Sequence, residues 1–176
     1  PKNGDELSIL GFGCMRLPQK DGAVDADRAI RQIRHAIDKG VNYVDTAWNY
    51  HGGESEIVLG RALAGGYREK VKVATKLPTW LVRKRDDMDR FLNAQLDKLA
   101  VSRIDYYQVH SLNGASWDAM QGLGVASFLD QAQSDGRIVN PGFSFHGPVD
   151  EFKKIVDAYP WTSCLIQYNY LDEHEQ

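Results

Sequence analysis

Residues Gly11–Pro18 read GFGCMRLP. They follow an apolar run and precede the first amphipathic stretch, so they form the first strand-to-helix connection. A dinucleotide-binding open sheet would place a GxGxxG turn here, opening directly into a helix. Two glycines are present, but a long polar connection follows them instead of a glycine-rich helix start. This choice decides the fold, because the rest of the chain alternates strand-like and helix-like runs.

Working outward, the strand-like runs are ILGFG over Ile9–Gly13, VNYVDTA from Val41 and VKVATK from Val71. They continue with IDYYQVH from Ile104, PGFSF from Pro141 and SCLIQYNY from Ser163. Their spacing is roughly thirty residues, near the length of one βα unit. Between them lie helical patterns with readable ends. Asp25 is placed to cap a helix with Ile30, Ile33 and Ile37 on one face, and Gly40 stops it. Ser55 is expected to open the next, with Ile57, Leu59 and Leu63 apolar. Asp86 is expected to cap a third, with Met88, Leu92, Leu96 and Leu99 inward. A fourth runs through Phe128–Ala132 and stops near Gly136. A fifth carries Phe152, Ile155, Val156 and Tyr159 ahead of Pro160.

Alternating strands and helices imply a parallel sheet covered by helices. Without the glycine-rich turn, the expected fold is α/β, a (β/α)8 TIM barrel. Such barrels take about 250 residues, and this chain offers 176. It is therefore expected to be an incomplete barrel of about six βα units, lacking the last two strands, with residues 1–176 forming one barrel domain. Open sheet edges would invite self-association. The chain begins at Pro1 and not at methionine, as expected for a processed N-terminus or for a piece of a longer protein.

Hydrophobic residues make up 43% and charged residues 26%, with a formal net charge of −3. The cations are scattered, which argues against nucleic acid as partner. No apolar run is long enough to cross a membrane. Cys14 and Cys164 lie far apart and form no CxxC pair, so a reducing, cytoplasmic setting is the default.

In a barrel the chemistry sits at the C-terminal ends of the strands. The second strand ends in Asp45, with Tyr50 in the loop after it. The third ends in Lys76, the fourth in His110, and the fifth in Ser144 and His146. The sixth carries Gln167 and Asn169. An acid, a phenol, an amine and an imidazole thus share one rim. A free phenol is a poor acid near neutral pH, and an adjacent ammonium improves it by favouring the phenolate. A carboxylate holds the ammonium in place, and an imidazole orients a substrate oxygen. Taken singly, each residue also has a plain reading: turn cap, strand-end lysine, rim histidine. The three histidines His51, His110 and His146 have neither an HxH spacing nor a carboxylate pair beside them, so no metal site is expected.

DTAWNY, ATKL and YYQVHSL, in this order, resemble the aldo-keto reductases. The resemblance implies a (β/α)8 barrel that reduces aldehydes and ketones with NADPH or NADH. It implies Tyr50 as general acid, Lys76 as the cation that activates it, Asp45 as support for Lys76, and His110 as the group orienting the carbonyl. It implies cofactor contacts from Cys14 and Met15 and from Ser144 beside the carboxamide; Gln167, two residues past the position of the family's glutamine, either takes over that contact or only fills the barrel. The chain departs from the family pattern in three places. Phe145 follows Ser144 where many relatives carry Asn, Leu165 stands where many carry Gln, and His51 replaces a common glycine.

WNYHGGESE and GFSFHG are most similar to a microbial branch with a C-terminal iron–sulfur segment, so a 4Fe-4S cluster is expected only beyond Gln176. The cofactor's adenosine end would bind loops after the last two strands, so the isolated chain is expected to bind cofactor weakly and to be weakly active or inactive. A small carbonyl compound is the expected substrate. The alternatives are a cofactor-sensing regulatory subunit on the same barrel with little turnover, and a metal-dependent barrel hydrolase. Turnover on a carbonyl panel and sensitivity to chelators separate them.

Overall fold

The computed structural model describes residues 3–168. Six parallel strands form one curled sheet, in the order β1 (Phe12–Gly13), β4 (Tyr43–Asp45), β5 (Lys72–Leu77), β6 (Ile104–Leu112), β7 (Ile138–Phe145) and β8 (Ser163–Ile166). Each strand pairs with the next one in the sheet's chain order, which is six consecutive strands of a (β/α)8 barrel. Helices connect them: α1 (Ala26–Asp38), α2 (Ser55–Leu63), α3 (Arg85–Leu99), α4 (Gly114–Gly122) with α5 (Val125–Ser134), and α6 (Val149–Asp157). Among the described residues no helix is long and apolar enough to cross a membrane.

The first strand is shorter than its apolar run. Only Phe12 and Gly13 pair, with Val44 and Asp45. Ile9 and Leu10 stand exposed. Ser8 explains this, since its backbone N–H and hydroxyl bond Asn42 and Leu10 carbonyl instead of leaving the backbone to a ladder. After β1 comes a hairpin the sequence reading did not contain, β2 (Gln19–Lys20) with β3 (Ala23–Val24). Asp21 and Gly22 at its tip both have positive φ, the condition for a two-residue hairpin turn.

Strand β7 begins three residues before Pro141, which sits inside it. The Pro141 carbonyl accepts from Thr162 N at 3.0 Å. The missing proline N–H would point the same way, where β8 has only begun, so little of the ladder is lost. Asn169 lies outside the described residues.

Asp25 caps α1, its side chain accepting from Arg28 N. Ala29, Ile33 and Ile37 bury one face. Ser55 is not a cap. It is the first residue of α2, buried, and its hydroxyl bonds Thr46 and the Cys14 carbonyl. Ile57 points outward, while Val58, Leu59, Ala62 and Leu63 point in. Asp86 is exposed in the first turn of α3. Asp87 caps instead, accepting from the backbone N–H of Arg83 and Lys84. Helix α4 is an addition, opened by reciprocal bonds between Asn113 and Ser116. In α6 Ile155 is buried and Val156 exposed, and Tyr159 lies past the helix end.

Two details fix how the layers sit. A Cβ on Gly60 of α2 would lie 2.7 Å from the Leu99 carbonyl oxygen at the end of α3. At the opposite end of the sheet from the site, the Asn3 carboxamide nitrogen lies 3.0 Å from the Tyr106 hydroxyl and 2.9 Å from Asn140 Oδ1. Asp5 joins the same cluster through Tyr106 and Lys72.

Candidate active site

Four strand ends deliver the rim. Gly13 pairs with Asp45, Asp45 with Ala74, and Lys76 with Gln108. The register sets Asp45 opposite Ala74, so Lys76 lies two residues farther along β5, and His110 two residues past Gln108 on β6. At Val109–Leu112 the β6–β7 register slips, and Ser111 takes a positive φ. Ser111 N then donates to Ser144 Oγ at 2.7 Å, so the irregularity ties the ends of β6 and β7 together.

The Lys76 ammonium is the centre. It donates to Asp45 Oδ1 at 2.6 Å, to the Thr46 carbonyl at 2.7 Å and to the Tyr50 hydroxyl at 3.3 Å. Burial pushes the Asp45 carboxyl above its ordinary range, opposed by the Lys76 charge. Asp45 Oδ2 is buried without a hydrogen-bond partner. His110 faces Tyr50 edge to face, with ring centroids 6.2 Å apart. Burial, helped by the Lys76 and His146 charges, depresses the His110 imidazole to about 3, so it is neutral at ordinary pH. Its Nδ1 is buried and unpartnered, and Thr79 holds its backbone carbonyl at 2.9 Å. Tyr50, Lys76, His110, Ser144, His146, Leu165, Ile166 and Gln167 line a cleft of about 280 Å³.

The structure thus brings Asp45, Tyr50, Lys76, His110, Ser144 and Gln167 to one place. Met15 is exposed beside β1, whereas the Cys14 side chain belongs to the core and burial raises its thiol. Among the described residues no three His, Cys, Asp or Glu side chains gather as ligands for a metal ion.

Support lies behind this layer. Gln95 donates to Glu56 at 2.6 Å and to the Lys76 carbonyl at 3.0 Å, and it accepts from the Tyr107 hydroxyl at 2.8 Å. Glu56 is fully buried and also bonds Thr75. Lys98 reaches Glu56 at 3.4 Å and sits 3.6 Å over the Trp48 ring, in the loop leading to Tyr50. Sequence reading missed these residues, because Lys98 meets Trp48 only in three dimensions. It also missed Trp80, whose ring lies 5.2 Å from His110; a tryptophan in the loop just past a barrel strand is the signal that would have found it.

The loop after Tyr50 is strained. His51, Gly52 and Gly53 all have positive φ, and His51 is not a glycine. A left-handed conformation costs a residue with a Cβ roughly 1–2 kcal/mol. The His51 ring recovers contacts, with Nε2 accepting from Leu17 N at 2.9 Å and Nδ1 lying 3.1 Å from the Gln19 carboxamide.

Residues 9–176 match the Aldo/keto reductase family. A probable aldo-keto reductase of Glycine max is 29% identical over 176 residues, which cover 94% of this chain and 49% of that protein. The chain spans about half the length of the curated relatives it matches. The holo form of an aldo-keto reductase from Bacillus halodurans is 26% identical with a TM-score of 0.78, covering 92% of this chain and 54% of that one. An aldo/keto reductase from Klebsiella pneumoniae in complex with NADP and acetate shares the fold, with a TM-score of 0.68 at 24% identity over 84% of this chain and 48% of that one.

Proposed function

The chain belongs to the aldo/keto reductase family, and on that premise we propose that the protein containing it reduces aldehyde or ketone groups, with Tyr50 as general acid and NADPH or NADH as cofactor. One observation carries this reading: the Lys76 ammonium lies between the Asp45 carboxylate and the Tyr50 hydroxyl at the mouth of a cleft that His110 also lines.

The residues present suit the nicotinamide end of such a cofactor. Ser144 has a hydroxyl proton left to donate after accepting from Ser111, and Gln167 offers a carboxamide on the neighbouring strand end. Met15 is exposed at the end of β1, outside the residues that line this cleft. The cleft is the size of a ring and a small carbonyl compound, not of a whole dinucleotide. When bound, the cofactor supplies the hydride.

The chain's own residues supply the proton. Negative charge builds on the carbonyl oxygen, and the Tyr50 O–H is placed to give its proton there. The phenolate left behind sits 3.3 Å from the Lys76 ammonium, which stabilises it without first moving. Asp45 and the Thr46 carbonyl fix the ammonium by two shorter bonds. Neutral His110 donates one N–H to the substrate oxygen; with Nδ1 enclosed, Nε2 is the nitrogen available. Trp80 gives the substrate's apolar part a wall. Tyr50→Phe in the complete protein is expected to lower kcat by about a hundredfold or more, with folding unchanged. Reduction of all accepted carbonyls surviving within a few-fold would refute the acid role.

A further inference from the structure

We propose that His51 is a latch: its ring locks the segment after β1 onto the loop that carries Tyr50, and so fixes the approach to the cleft that Tyr50 lines. Gly13 pairs with Asp45, so Cys14–Leu17 leaves the sheet at the same rim as Thr46–Tyr50. Two ties join the segments. The Ser55 hydroxyl donates to the Cys14 carbonyl at 3.0 Å, and Leu17 N donates to His51 Nε2 at 2.9 Å. Met15 and Arg16 lie between the ties, exposed on a short helical turn. They form a ledge pinned at both ends, one pin being a fully buried serine.

The other pin is the unusual one. In the left-handed run His51–Gly53 only His51 carries a side chain, so glycine would satisfy the backbone with less strain. What glycine would lose is the ring, and the ring's two nitrogens both serve the far segment, at Leu17 and at Gln19. Both ring nitrogens face Leu17 and Gln19 rather than Tyr50 or Lys76. Its effect on chemistry therefore passes through the ledge, and His51 is a positioning residue. A ligand approaching Tyr50 passes a ledge already ordered, which lowers the cost of binding. This part rests on the reductase reading; the latch itself does not.

The experiment compares wild-type, His51→Gly and His51→Gln complete protein by amide hydrogen exchange at Leu17 and by steady-state kinetics with benzaldehyde and NADPH. His51→Gly suits a positive φ and leaves the fold intact. It is expected to lower Leu17 protection about tenfold and raise the benzaldehyde KM about fivefold, with kcat within about threefold. Glutamine places an amide oxygen as far out as Nε2 and is expected to restore most of both. Unchanged Leu17 protection in His51→Gly would overturn the latch, and lost protection with an unchanged KM would overturn its role at the cleft. Should the wild type reduce no carbonyl, the reductase reading fails, and Leu17 exchange alone still decides whether the latch exists.

Discussion

Lys76 Nζ stands 2.6 Å from Asp45 Oδ1, with 1% and 15% of the two side chains exposed. Removing one partner of such a pair leaves the other charge enclosed, at a cost of about 3–5 kcal/mol. Asp45 can lessen that cost by taking up a proton, since burial already pushes its carboxyl upward. Lys76→Met is therefore expected to destabilise the complete protein by about 3 kcal/mol or more near pH 8 and by less near pH 5. Denaturant titrations at the two pH values check this; an equal loss at both would contradict it. Activity is expected to be lost at either pH.

His110 gives a second pH signature of opposite sign. Its ring is held at about 3 in the fold against an ordinary value of 6.5. Between those values the unfolded chain binds a proton that the folded chain does not. Stability is thus full above 6.5 and falls as pH drops towards 3, by up to about 1.4 kcal/mol per unit. His110→Gln removes the group and is expected to flatten the stability–pH slope between about pH 4 and 6. Parallel slopes for variant and wild type would show that the ring is not held neutral.

Gln95 tests the supporting layer. Leucine in its place strands the Tyr107 hydroxyl, the Lys76 carbonyl and one side of buried Glu56. Each stranded group costs about 1–3 kcal/mol, and the network is coupled. Gln95→Leu is expected to lower stability by about 3 kcal/mol, measured by chemical denaturation, and to reduce kcat more than it raises KM.

At Gly60 two effects compete. Helix propensity favours alanine by about 1 kcal/mol. The new Cβ would meet the Leu99 carbonyl oxygen at 2.7 Å and Lys98 O at 2.8 Å, both backbone atoms that cannot turn aside. Overpacking costs about 1–3 kcal/mol, so Gly60→Ala is expected to lower Tm. A raised Tm would mean that the α2–α3 contact is looser than it looks.

The fold and the site were unequally legible in the sequence. The strand runs from Val71, Ile104 and Pro141 announced themselves because both faces of a barrel strand are covered, so apolar residues run on unbroken. Asp45, Lys76 and His110 were legible because polar residues seldom end such runs without cause. Local competition was not legible. Ser55 looked like a helix cap, but the Cys14 carbonyl and Thr46 hydroxyl, distant in sequence, claim its hydroxyl. Asp87 displaced Asp86 as the cap of α3 because two backbone N–H groups converge on it. Asp21-Gly22 was a readable hairpin turn, hidden by the absence of long strands on either side.

The Asn3 cluster has a bearing on how the chain reaches its folded state. Sheet neighbours are joined by one crossover each, so most pairing closes short loops and can proceed unit by unit from the ribosome. Asn3 and Asp5 depart from this, and Asn3 most, since its partners Tyr106 and Asn140 lie 103 and 137 residues downstream. The segment ahead of β1 must wait for β7 before it is secured. Its docking is therefore a late step of assembly, and slower translation through Ile138–Phe145 would lengthen the time for which Asn3 and its neighbours stay undocked.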